Sequence, residues 1–195
     1  MRRLFFLPVF LVAIGCDEAD STSVRLVIQA DLSGTVTTSS LSKLESSALE
    51  SESSPGIQWT ARAQVVALQG RFGDLSKAPL KIGDLTFEVS NHGPGFRLRV
   101  TLPTGPEAKW PALIAPSDPS HRDAIRAAMD PEDETGRLGE EIKIQIDLPK
   151  EPVASGYRPD LAPVRDSVDK KRVTLIVKVD KLRAGGRMIE WDVTW

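Results

Sequence analysis

Cysteine, histidine and tyrosine are nearly missing from this chain, and their scarcity narrows its chemistry. A single cysteine in 195 residues, Cys16, excludes a disulfide within the chain. The only histidines, His92 and His121, form no H-x-x-x-H pair. A zinc site needs three or four ligands, so neither a metal nor a cofactor is expected. The nucleophile elbow G-x-S-x-G is absent. Ser40-Leu41-Ser42-Lys43 matches S-x-x-K, but it lies in a serine-rich run, without the S-D-N and K-T-G partners. Asp130, Glu132, Asp133 and Glu134 crowd together before Glu140 and Glu141, yet Thr135 stands where a calcium loop counted from Asp130 requires glycine. A solvated acidic loop is the expectation there.

A basic excess is missing too. The chain holds 25 basic and 27 acidic residues, with Arg2 and Arg3 ahead of every acid. Counted from Cys16 onward, 23 basic residues face those 27, a net charge of −4. A mildly acidic chain without a basic stripe argues against nucleic acid as a partner. It equally argues against electrostatic attachment to anionic lipid.

What the chain does have begins at its N-terminus. Met1-Arg2-Arg3 precedes an apolar run from Leu4 to Ile14, and Gly15-Cys16-Asp17-Glu18 ends it. A basic start, a short apolar stretch and small residues at its end define a secretory signal. The run is too short for a membrane span, which needs about 20 residues. Pro8 disfavours a long helix within it. Val12-Ala13-Ile14-Gly15-Cys16 resembles the lipobox of bacterial lipoproteins, with Ala13 where leucine is commoner. The resemblance covers residues 1 to 16 and implies cleavage before Cys16, diacylglycerol on its thiol and often acylation (palmitate or a similar chain) of the new N-terminus. Buried acyl chains hold at about 0.8 kcal/mol per CH₂, so the implied partner is a membrane and the implied address is the bacterial cell envelope, facing the periplasm or the exterior. Arg2-Arg3-Leu4-Phe5-Phe6 also resembles a twin-arginine export signal, though that motif sits further inside the n-region. The expected organisation is a signal peptide over 1–15, a lipidated tether over 16–23 and one domain over 24–195.

That domain reads as all-β. Apolar residues alternate with polar ones in seven stretches: Val24 to Leu32, Ile57 to Ala67, Leu85 to Val89, Phe96 to Leu102, Ile142 to Leu148, Val173 to Val179 and Ile189 to Trp195. One-sided alternation is the pattern of antiparallel strands with one wet face. About seven antiparallel strands in a two-sheet sandwich are expected, with a barrel as the alternative. Asn91-His92-Gly93-Pro94-Gly95 and Ala184-Gly185-Gly186 predict hairpin turns. One short helix is expected from Pro119 to Met129, capped by Asp118 and ended by Pro131. Residues 39–56, rich in serine and glutamate, read as a flexible surface loop. Long connections at 103–139 and 149–171 are where a binding site is expected. No internal repeat is apparent.

Of four tryptophans, Trp59, Trp191 and Trp195 are in phase with apolar neighbours and predict core. Trp110 sits in an irregular, proline-flanked segment. With Tyr157 from the other long connection it forms the candidate platform for a sugar or protein ligand. The aromatic end, Trp191 to Trp195, is also a feature of outer-membrane barrels, but long polar loops fit a tethered domain better. The expectation is a lipid-anchored extracytoplasmic β-sandwich with a binding or envelope-structural role, its partners an envelope protein or glycan, and no catalytic residue assigned. An extracytoplasmic hydrolase working through a carboxylate pair is the alternative.

Overall fold

Alternation of side-chain character is enough to build two sheets here, because each apolar set needs an opposing apolar face to leave water. The computed structural model describes residues 22–44, 62–115, 140–158 and 164–195. Within them, eleven strands form a two-sheet sandwich. The first sheet holds six: β1 (Ser23–Ile28), β2 (Gly34–Leu44), β3 (Arg62–Phe72), β7 (Glu141–Asp147), β9 (Val164–Asp169) and β10 (Arg172–Lys178). Its order is β3-β2-β1-β7-β10-β9. The second holds β4 (Leu80–Ile82), β5 (Leu85–His92), β6 (Gly95–Leu102), β8 (Ala154–Arg158) and β11 (Ile189–Thr194), in the order β4-β5-β6-β11-β8. Two short helices are α1 (Trp110–Ile114) and α2 (Val179–Ala184).

The core forms where the inner faces meet. Leu26, Ile144 and Leu175 from the first sheet and Phe87, Val100 and Trp191 from the second are all fully buried. Outward positions carry the charges. Asp147 is clamped between Arg25 and Arg172 on the outside of the first sheet, at 2.7 and 2.6 Å. On the second sheet Asp192 lies opposite Arg99 in register and takes two bonds from its guanidinium, at 2.8 and 2.9 Å.

The Asn91–Gly95 hairpin is present: His92 pairs with Gly95 across Gly93 and Pro94, and Gly93 has φ 56°. Positive φ at the first central position alone is the type II′ geometry that suits strand twist.

Several expectations are corrected. Among the described residues all but one of the strand pairs are antiparallel; β1 and β7 run parallel. The first strand stops at Ile28 rather than Leu32, because Leu32 sits at φ 64° in a tight turn that folds it back into the core. Residues 39–44 belong to β2, not to a loop, and pair with β3. The second long connection contains β8 and β9, and α1 lies in the first. Ala184-Gly185-Gly186 is no hairpin: β10 and β11 belong to different sheets, and the glycines follow α2 in a crossover. The helix expected over 119–129, Trp59, His121 and Cys16 lie outside the described residues.

Chain direction gives the sandwich two distinguishable ends. At the near end the chain enters β1, held by the Thr22 hydroxyl donating to the Glu141 carbonyl and the Lys143 N–H donating to the Thr22 carbonyl. Both short helices cap this end. The far end carries the turns at 29–33, 93–94 and 148–153.

Candidate functional site

The far end holds an open cavity of about 560 Å³. Ligand pockets commonly enclose about 300–1,000 Å³ behind a largely apolar wall. The hairpin turn supplies Pro94, β6 supplies Phe96, the connection after β7 supplies Pro149 and Val153, and Trp195 follows directly on β11. Phe96 and Trp195 meet as a tilted pair with ring centroids 5.9 Å apart. Reciprocal backbone bonds, Phe96 N–H to Trp195 O at 2.9 Å and Trp195 N–H to Phe96 O at 3.1 Å, fix that pair. That centroid separation lies within the range over which aromatic rings attract. The Val153 N–H donates to the Thr194 carbonyl, which ties the other wall to the same strand.

Polar groups stand at the rim. His92 and Lys150 both line the cavity. The Arg97 guanidinium lies 2.7 Å from Nδ1 of His92 and so orients the ring. Val153 is 84% exposed, so an apolar side chain already projects at the mouth.

The two candidate platform residues are not brought to this site. Trp110 has no exposed surface: its indole N–H donates to the Pro103 carbonyl at 2.9 Å, and the ring plugs the near end of the core. A proline-flanked segment looked irregular because the helix it starts is only five residues long. Asp84, in the β4–β5 turn, caps that helix by accepting the Lys109 and Trp110 N–H groups. Tyr157 is half-buried on edge strand β8, opposite Trp191 in register. Of the two long connections, the one beginning at residue 149 does line the cavity, through Pro149, Lys150 and Val153.

The far end was also signalled by a repeat too short to notice. Asp31-Leu32-Ser33 and Asp74-Leu75-Ser76 fold into matching turns, each aspartate accepting the N–H and hydroxyl of the serine two residues on. Those bonds hold both carboxyls below the usual range. Both leucines are buried, and the Leu75 N–H donates to the Leu32 carbonyl. Together they close the core beneath the β1–β2 turn.

Asp147 and Asp192 are committed to arginines rather than poised for proton transfer. Burial alone pushes the Asp147 carboxyl up, but hydrogen bonds and charges from Arg172 and Arg25 outweigh it and leave it lowered. Asp192 is lowered chiefly by the Arg99 hydrogen bond, with burial partly opposing. A depressed folded-state pKa stabilises the protein above the unfolded carboxyl value of about 3.9 and is lost as pH falls through the folded value. Asp147→Asn and Asp192→Asn are each expected to cost about 1 kcal/mol near neutral pH, as exposed pairs do. Melting curves at falling pH should show the gap to the parent closing below about pH 4. A gap that stays constant to pH 2 would show that these carboxylates do not drive the acid limb.

Comparison with protein-family models, with curated proteins and with solved structures finds no match to this chain.

Proposed function

We propose that this chain is a lipid-anchored extracytoplasmic protein whose β-sandwich binds a small apolar ligand in the far-end cavity. The observation that carries the binding reading is the cavity itself, walled by Phe96, Trp195, Pro94, Pro149 and Val153. The anchor reading rests on the basic start, the apolar run and Val12 to Cys16. Apolar surface left uncovered between two rigid turns is a standing gain for any molecule that can displace water there. The lipid holds the protein at a membrane, and the cavity opens at the end opposite the point where the tether joins β1.

Intact mass of the native protein tests the anchor: residues 16–195 plus diacylglycerol, with or without another acyl chain, is expected. A bare polypeptide starting elsewhere removes that part of the reading. Titration with N-phenyl-1-naphthylamine, a neutral apolar fluorophore, tests the cavity. Saturable binding is expected, weakened about tenfold or more by Val153→Asp, because the ligand must then desolvate a carboxylate. Val153 is too exposed for that change to unfold the protein. Binding indifferent to the substitution would place the ligand elsewhere and end the cavity proposal.

A further inference from the structure

The near end of the sandwich has its own exposed apolar residues, and the length of chain ahead of it says what they face. Leu113 at the end of α1 is 56% exposed, and Met188 before β11 is 54% exposed. They share one end: α1 packs against β2, beside the strand through which the chain enters. The segment leading to Met188 is stitched to the segment leading to α1, by the Gly105 N–H to the Leu182 carbonyl and the Thr104 hydroxyl to the Arg187 carbonyl. The same end carries Thr22, already fastened to Glu141 and Lys143.

Between Cys16 and Thr22 stand only Asp17 to Ser21, five residues. At full extension they and the two flanking bonds reach roughly 20 Å. Resting on the lipidation of Cys16, we infer that the near end docks on the bilayer surface, with Leu113 and Met188 as its apolar contacts. The tether joins the domain at the near end, so that end is the one it holds against the membrane. It also raises the local concentration of lipid at the near end, so weak contacts suffice. The end is not a basic patch, since Glu107 and Asp180 stand among Lys109, Lys181 and Arg187. The contact is therefore set by apolar tips and tether length rather than by net charge. Hydrophobic side chains projecting into the headgroup boundary are the ordinary means of such interfacial contact.

The test uses the lipid-bearing protein in vesicles of phosphatidylethanolamine and phosphatidylglycerol. Leu113→Cys, Met188→Cys and Val153→Cys each add one thiol for an environment-sensitive fluorophore, and all three positions are exposed enough to tolerate it. Cys16, the only native cysteine, is blocked if lipidated. Spin-labelled lipid is expected to quench the labels at 113 and 188 and to leave the label at 153 bright, whereas aqueous iodide should do the reverse. If the protein floats with vesicles yet iodide quenches 113 and 188 as freely as 153, the docking surface is overturned and the anchor stands. If the parent protein takes up label at Cys16 and does not float, the anchor falls and the docking surface with it.

Discussion

Trp110→Ala is expected to destabilise the protein by about 3–5 kcal/mol, the range for deleting a buried aromatic ring. The ring has no exposed surface and is among the largest fully buried side chains of the core. Its removal leaves a void at the near end and strips the Pro103 carbonyl of its donor. Domains of this size hold together by about 5–15 kcal/mol in total, so the variant should unfold at much lower urea and melt roughly 10 °C or more below the parent. Its affinity for N-phenyl-1-naphthylamine, measured while folded, should be unchanged, because the cavity lies at the other end. The opposite result, normal stability with lost binding, would restore Trp110 as a ligand platform.

Gly34→Ala should do comparable damage by the reverse means. A Cβ at residue 34 would lie 1.9 Å from the Val27 carbonyl oxygen and 2.8 Å from the Phe72 ring. Ordinary overpacking costs about 1–3 kcal/mol because side chains yield. Here the first obstacle is backbone in β1, an interior strand paired on both sides. The β1–β2 register must open at its turn, so a loss at or above about 3 kcal/mol is expected. Gly73→Ala is the control, since nothing lies within 4 Å of a Cβ there. Equal urea midpoints for the two variants would mean that the turn relaxes freely and that the close approach at Gly34 is unimportant.

The strands that were legible in the sequence are those with one wet and one dry face. Leu85 to Val89, Ile142 to Leu148 and Ile189 to Val193 alternate because the sandwich buries every second residue. The strands that were missed do not meet that condition. β2 begins Gly-Thr-Val-Thr-Thr-Ser-Ser, polar on both faces over most of its length. β4 has three residues. β8 reads Ala-Ser-Gly-Tyr-Arg on an edge, where half of each residue's surroundings is solvent. α2 offers only Val179 and Leu182 as buried positions, a spacing too short to register as a helical stripe. The cavity was hidden for a different reason. Its walls come from residues read as turn (Pro94), strand (Phe96) and core (Trp195), and only folding brings these to the connection beginning at Pro149.

The parallel pairing of β1 with β7 also dictates an order of assembly. The Thr22–Glu141 bond spans 119 positions in the chain, and β1 has no neighbour on that side until β7 exists. A chain delivered from its N-terminus can complete the β1-β2-β3 meander once Phe72 has emerged, but β1 then keeps a bare flank of unpaired N–H and C=O groups until residues 73–147 have arrived. Contacts so distant in sequence slow folding, because the loop must close before any bond repays it. An open strand flank is in the meantime a template for another chain. This sandwich therefore makes its first strand early but satisfies that strand's second edge only when β7 arrives, and the interval between the two is one of exposure to aggregation.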